Sequence, residues 1–105
     1  MSPRHLLPQR RGNETFDLRL GAYSVSVTVG FYDNGQVGEV FISGGKTGSD
    51  MDAVTRDAAV LLSIAIQYHV PIEIIAHAIT RESNGAPSSI IGAVIDRLPI
   101  LELPM

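Results

Sequence analysis

The sequence contains no cysteine, and it has no long uninterrupted apolar run. Without a thiol the chain cannot form a disulfide, a thiolate metal site or an iron–sulfur cluster, and it has no thiol-based redox chemistry. The longest apolar stretch, from Ala58 to Ile66, is interrupted by Ser63. A membrane-spanning helix needs about 20 apolar residues, so we expect no membrane span.

Charged residues are also scarce, at 18% of the 105 residues, and acidic residues outnumber basic ones by 11 to 8. A net charge of −3 gives no general attraction to nucleic acid, so we do not expect nucleic acid as a partner. The hydrophobic content of 45% is typical of a globular domain with a core. Because the N-terminal region has no apolar block of signal-peptide length, we expect a cytoplasmic protein.

A change in hydrophobic period divides the central part of the chain into strands and helices. Apolar and polar residues alternate in three segments, which predicts three strands. These segments run from Thr15 to Leu20, from Tyr23 to Phe31 and from Val37 to Ser43. Gly21-Ala22 turns the chain between the first two, and Asn34-Gly35 supplies the positive φ angles of a tight hairpin between the last two. The sequence therefore predicts that these three strands form an antiparallel β-meander.

Helical spacing replaces the alternation after Gly44-Gly45 and predicts a long helix over about 49–69, capped by Ser49. Asp52 and Arg56 have the i,i+4 spacing of an ion pair on this helix. Its expected buried stripe is Met51, Val54, Ala58, Leu61, Leu62, Ala65 and Tyr68.

Two shorter helices are predicted in the rest of the domain. The second starts at Pro71 and ends near Arg81. Its expected buried stripe is Ile72, Ile75, Ala76 and Ile79. The third spans about 88–98, with Ser88 or Ser89 as its cap and Pro99 as its terminator. The expected stripe of the third helix is Ile91, Val94, Ile95 and Leu98.

A β-meander followed by three helices is an α+β fold, in which the long central helix packs on the apolar face of the sheet. We expect this domain to span residues 14–98. Residues 1–13 contain two prolines and three arginines and show no hydrophobic period, which predicts a flexible basic arm, and residues 99–105 form an apolar C-terminal tail.

The segment from Ala58 to Ile66 is apolar nearly all round, so either the other helices or another subunit covers its outer side. We expect a dimer or larger oligomer, formed through the long helix or the tail.

The glycine-rich turn before the long helix is the best candidate for a ligand site. It is not a P-loop, because Val40 stands where that motif requires its first glycine. Free amides at the helix N-terminus can still hold an anion such as a nucleotide phosphate, although Asp50 and Asp52 weaken the field there. The candidate ligand residues are Gly45, Lys46, Thr47, Gly48, Ser49, Arg56 and Arg81. The alternative is a plain strand-to-helix turn with Lys46 in solvent.

No catalytic residue, metal site or cofactor is predicted. His5, His69 and His77 include no i,i+4 pair, and no carboxylate cluster completes a metal site. Ser63 has no histidine near it in sequence, and a buried helical serine can bond to the carbonyl group of Ala59 instead.

Several segments resemble one known domain family. They run from Thr28 to Gly35, Gly38 to Ile42, Lys46 to Ser49, Ser63 to Tyr68 and Val70 to Glu73. The sequence resembles the TSCPD domain, the C-terminal domain of vitamin B12-dependent (class II) ribonucleotide reductases, over about residues 8–98. In that family the domain follows a large catalytic barrel and commonly carries redox cysteines near its C-terminus, and this sequence has neither. The resemblance implies a free-standing accessory domain that does not itself reduce ribonucleotides.

Three functions remain open at this point. The first is a non-catalytic accessory or regulatory module, which acts through protein contact or by binding a nucleotide. The second is an oligomer that sequesters a nucleotide or other phosphate-bearing small molecule between subunits. The third is a separately encoded subunit that completes a B12-dependent ribonucleotide reductase by binding its catalytic chain.

Overall fold

The computed structural model describes residues 3–44 and 50–102. Three antiparallel strands in the order β1-β2-β3 are followed by three helices. Their bounds are β1 Asn13–Leu20, β2 Tyr23–Phe31, β3 Val37–Gly44, α1 Asp50–Gln67, α2 Ile72–Ala78 and α3 Ile90–Leu101. The predicted α+β fold, a β-meander followed by three helices, is confirmed.

Both predicted hairpin turns are present, and one differs in its backbone detail. Leu20 pairs with Tyr23 across the first turn. In the second, the carbonyl oxygen of Tyr32 accepts a bond of 2.9 Å from the amide of Gly35, which lies in the left-handed region with φ 87°. Asn34 has no positive φ and instead accepts a bond from the amide of Gln36 through its side chain at 2.9 Å. The turn therefore needs left-handed backbone only at the glycine.

The core lies on one face of the sheet, where alternate residues of β2 and β3 point toward the helices. Helix α1 packs against β3, while α3 packs against β1 and α2. The buried apolar residues are Val25, Val27, Val29, Val37, Val40, Ile42, Ala59, Leu62, Ile66, Ile90, Val94, Ile95 and Leu98. The third helix thus supplies four core residues of its own.

The predicted buried stripe of α1 is wrong. Only Leu62 of that set is buried, whereas Met51, Val54, Leu61 and Tyr68 are exposed. The residues that face inward are Asp52, Thr55, Ala59, Leu62, Ser63, Ile66 and Gln67. Their polarity follows from the position of the helix beside an edge strand, whose outward backbone groups need hydrogen-bond partners.

Two polar side chains of α1 supply those partners. The hydroxyl of Ser63 accepts a bond of 2.8 Å from the amide of Val40 and lies 3.1 Å from the carbonyl oxygen of the same residue. It also donates to the carbonyl oxygen of Ala59 at 2.8 Å, as predicted. The amide of Gln67 donates to the carbonyl oxygen of Gly38 at 2.8 Å. The edge of β3 is thereby closed by side chains of the helix.

The shorter helices agree with the sequence in their buried faces and differ at their ends. The predicted stripe of α2 packs against the core, although the helix stops at Ala78 rather than near Arg81. Ser89 caps α3 by accepting a bond of 3.1 Å from the amide of Gly92, as expected. Pro99 does not end α3, which continues to Leu101. In the last turn a proline removes only one backbone donor, so the helix tolerates it there.

The N-terminal segment makes specific contacts that its composition does not indicate. The side chain of Arg4 donates to that of Gln67 at 2.6 Å, and the amide of His5 donates to the carbonyl oxygen of Gln67 at 2.8 Å. The ring of His5 stacks on that of Tyr32, with the centroids 4.3 Å apart. These contacts join the segment to the end of α1 and to the second hairpin.

Candidate ligand-binding cleft

The predicted anion loop lies outside the described residues: Gly45, Lys46, Thr47, Gly48 and Ser49 belong to the gap between 44 and 50. Its two flanks are described. Gly44 ends β3 in pairing with Val25, and α1 begins at Asp50. The N-terminal end of an 18-residue helix therefore follows directly on the loop. That the loop binds a phosphate stays a prediction.

Arg56 lies on α1 with its side chain 65% exposed. One of its Nη atoms is 3.7 Å from a carboxylate oxygen of Asp52, which confirms the predicted i,i+4 pair. Because Asp52 is buried and Arg56 reaches into solvent, the guanidinium group retains exposed donors on the outside of the helix. Arg56 thus lies in the second turn of the helix that follows the predicted loop.

Arg81 holds α2 and α3 together. Its Nε and one Nη donate to the carbonyl oxygen of Ala76, and the other Nη donates to that of Gly85 at 3.1 Å. Both Nη atoms also bond the carboxylate of Asp96, at 2.8 and 2.9 Å. These five bonds use the five N–H groups of a guanidinium. The sequence placed Arg81 among the phosphate ligands, a role in which it would have to exchange these partners.

The ion pair between Arg81 and Asp96 makes stability depend on pH. The hydrogen bond from Arg81 lowers the pKa of Asp96 below its ordinary value, and burial opposes that shift. A carboxylate whose folded pKa is lowered stabilises the fold above its unfolded pKa and loses that contribution as pH falls through the folded pKa. We expect Asp96→Asn to lower the thermal midpoint slightly at pH 7, with the difference from wild type shrinking as pH falls below the ordinary Asp pKa of about 3.9 and through the lowered folded pKa. Thermal unfolding of both proteins between pH 7 and pH 2.5 measures this, and a difference that does not shrink toward the acid end would contradict it.

A cleft opens where α1 and α3 both begin, beside the turn between β1 and β2. We call it the helix-start cleft, and its volume is about 270 Å³. Its lining residues are Leu20, Tyr23, Met51, Val54, Thr55, Ala58, Ser88, Ser89, Ile90 and Ile91. The first two turns of α1 form one wall, so the cleft adjoins the helix end that follows the predicted anion loop.

The walls of the helix-start cleft are mostly apolar, and one polar group in them is unpaired. The hydroxyl of Tyr23 is buried and has no hydrogen-bond partner within the described residues. Ser88 and Ser89 are already bonded, to the carboxylate of Glu82 and to the amide of Gly92 respectively. A buried unpaired hydroxyl is costly unless a ligand bonds to it. Sequence reasoning missed Tyr23, because alternation marks it only as the first residue of a strand.

The histidines are placed at the surface. The rings of His5 and His69 are 6.1 Å apart. His69 follows the end of α1 with φ 69°, a left-handed position that terminates the helix. A ring nitrogen of His77 lies 2.7 Å from the carbonyl oxygen of Glu73. Within residues 3–44 and 50–102, no group of three potential ligands is placed to hold a metal ion, and no helix is long and apolar enough to cross a membrane.

The opposite face of the sheet carries an ion pair. Arg11 bonds the carboxylate of Glu39 through Nε and, at 3.2 Å, through one Nη. Glu39 occupies the space beside Gly30, where an added Cβ would lie 2.3 Å from its carboxylate oxygen. A side chain at position 30 would therefore have to displace this carboxylate from its close approach to the backbone.

These observations define an α+β domain in which a β-meander precedes three helices, with an apolar cleft at the helix N-termini. The model of the TSCPD domain family matches residues 2–100. The chain therefore belongs to the TSCPD domain family.

Curated proteins similar to the chain are vitamin B12-dependent ribonucleotide reductases. That of Bradyrhizobium diazoefficiens is 32% identical over 80 residues, which are 76% of this chain and 6% of that protein. That of Agrobacterium fabrum is 34% identical over 77 residues, 73% of this chain and 6% of the relative. That of Rhodopirellula baltica is 35% identical over 74 residues, 70% of this chain and 7% of the relative. The chain thus spans a small fraction of these proteins, and no solved structure matches it.

Proposed function

We propose that the chain is a non-catalytic accessory domain that binds a nucleotide, with the base in the helix-start cleft and the phosphate at the loop before α1. The observation that carries the proposal is the buried Tyr23 hydroxyl in an apolar cleft, unpaired among the described residues. Small-molecule sites combine apolar walls with a few polar groups that orient the ligand. The relation to ribonucleotide reductases makes nucleotides the first class to test.

The size and lining of the cleft favour the base rather than the charged part of a nucleotide. Ligand pockets for whole drug-sized molecules measure about 300–1,000 Å³, and this cleft lies just below that range at about 270 Å³. A planar ring can contact aliphatic walls such as Leu20 and Ile90 while one of its polar edge atoms bonds the phenol of Tyr23. Among the described residues no charged side chain lines the cleft, so a phosphate would have no ionic partner there.

The start of α1 is the place proposed for the phosphate. An α-helix N-terminus presents unpaired amides and a partial positive charge, and Lys46 and Ser49 precede it in the sequence. Arg56 adds an exposed guanidinium in the second turn of the same helix. Asp50 and Asp52 oppose an anion here, so the affinity is expected to be moderate and to fall with rising salt concentration.

Calorimetric titration with nucleotides tests the two parts of the proposal separately. Tyr23→Phe is expected to weaken binding about three- to tenfold, because it removes one hydrogen bond. The same change should leave the stability of the free protein equal or slightly higher, since it removes a buried hydroxyl that has no partner. Lys46→Ala is expected to weaken binding about tenfold at low salt and less at high salt, as for loss of a charge-assisted bond.

Two matched substitutions serve as controls in these titrations. Tyr68→Phe removes a phenol that is 41% exposed just after α1, and Arg10→Ala removes an exposed cation far along the sequence from the loop. Both should leave the affinity unchanged. If Tyr23→Phe and Lys46→Ala bind as wild type does, or if no nucleotide binds, the proposed function is wrong.

A second candidate is a subunit that binds the catalytic chain of a B12-dependent ribonucleotide reductase. The observation in its favour is that the relatives carry the matching region as 6–7% of a much longer protein. A domain that is joined to an enzyme in relatives is a natural non-covalent partner of such an enzyme. Stoichiometric co-elution with a purified catalytic chain would favour this candidate, and it does not depend on the cleft.

A further inference from the structure

The outward face of α1 carries an apolar row with a regular spacing. It consists of Met51, Val54, Ala58, Leu61 and Ala65 of α1 and of Tyr68 in the turn that follows the helix, and we call it the α1 row. Its residues recur at intervals of three, four, three, four and three. This is the a/d pattern that lets two helices pack side by side along a common seam.

The large residues of the α1 row are not covered by the rest of the described chain, whereas Ala58 and Ala65 are half-buried. Met51 is 57% exposed, Val54 68% and Leu61 69%. The inward side of α1 meets β3, while α3 packs chiefly against α2 and β1. A row of large apolar side chains at this exposure, without a charged member, is typical of a surface that another helix covers.

The sizes of the side chains in the α1 row match a second, antiparallel copy of the same row. If two copies are related by a two-fold axis between Ala58 and Leu61, each small residue faces a large one. Ala58 then faces Leu61 of the second copy, and Ala65 faces Val54. Met51 faces Tyr68 at each end. A parallel pair would instead place alanine against alanine at two levels, which leaves voids in the seam.

We propose that the chain forms a homodimer through antiparallel packing of the two α1 rows. Such an interface is isologous, with the same surface used by both copies. The seam runs the length of an 18-residue helix, which is about 27 Å. Met51, Val54 and Ala58 also line the helix-start cleft, so the dimer is measured without added nucleotide. The proposal does not depend on nucleotide binding.

Light scattering and sedimentation from 1 to 100 µM test the assembly. The expected result is a mass of twice the 11.3 kDa of the chain at the upper concentrations. Leu61→Glu is expected to weaken dimerisation at least a hundredfold, while circular dichroism stays unchanged because the side chain is exposed. Ile74→Glu, at a residue 61% exposed on α2, is the matched control and should leave the dimer intact. A monomer mass throughout, or a dimer that Leu61→Glu does not affect, overturns the proposal.

Engineered cysteines test the antiparallel arrangement, because the natural chain has none to interfere. A disulfide needs Cα atoms within about 7 Å. In the proposed dimer residue 54 faces residue 65, whereas the two copies of residue 54 are separated by eleven residues along the axis, about 16 Å. A mixture of Val54→Cys and Ala65→Cys should therefore give a disulfide-linked heterodimer under mild oxidation. Val54→Cys alone should not link. Linking of Val54→Cys to itself, or failure of the mixture to link, contradicts the antiparallel seam.

Discussion

Replacing Leu98 by alanine is expected to lower the free energy of unfolding by about 2 to 5 kcal/mol. Leu98 is fully buried, together with Val94 and Ile95 of the same helix. Truncation of its side chain removes apolar surface from the core and leaves a cavity that the closely packed neighbours fill only in part. Urea denaturation followed by circular dichroism measures the loss.

The control for Leu98 lies in the same helix. Ile100 is 61% exposed, so Ile100→Ala should change the free energy of unfolding by less than about 0.5 kcal/mol. Comparison of the two variants separates the effect of burial from any general effect on helix formation. Similar losses in both variants would show that α3 does not face the core in the way described.

Replacing Ser63 by alanine is expected to lower the free energy of unfolding by about 2 to 3 kcal/mol. The substitution leaves the amide and carbonyl groups of Val40 without their side-chain partner at 2.8 and 3.1 Å. Val40 is 1% exposed, so its backbone groups have little access to water in the folded protein. A buried backbone group that loses its partner bears its full desolvation cost.

Ser24→Ala is the matched control, because Ser24 is an exposed strand residue. It should be close to neutral in the same denaturation experiment. Hydrogen exchange adds a local measurement, since the Val40 amide should exchange faster in Ser63→Ala than in wild type. If Ser63→Ala is as stable as Ser24→Ala, the bridge between α1 and the edge of β3 does not contribute as described.

The order of elements was predictable from short-range chemistry. The two-residue period before Gly44 and the helical period after it are local properties, and so is the left-handed preference of Gly35. The cap at Ser89 is equally local, since it depends on a side chain and an amide three residues apart. The end of α3 was not predictable from Pro99 alone, because the cost of a proline depends on where the helix would otherwise stop.

The candidate site was predictable only in part. The sequence marked the loop 45–49 by its glycines, and it paired Asp52 with Arg56 through their spacing. It grouped Arg81 with them by charge, although Arg81 is bonded to Asp96 on α3. Tyr23 carries no local signal in the sequence. Its hydroxyl becomes part of a candidate site only because α1 and α3 pack around it in the folded protein.

The sequence by itself determined the absence of thiol chemistry, the β-meander and the three helices, because each depends on residue type or on neighbours within a few positions. Only the tertiary structure decided which face of α1 is buried. Hydrophobicity favours the α1 row, whereas the unpaired backbone edge of β3 requires Ser63 and Gln67 to face inward. The need to satisfy buried backbone groups outweighed the burial of apolar side chains, and the α1 row was left facing outward.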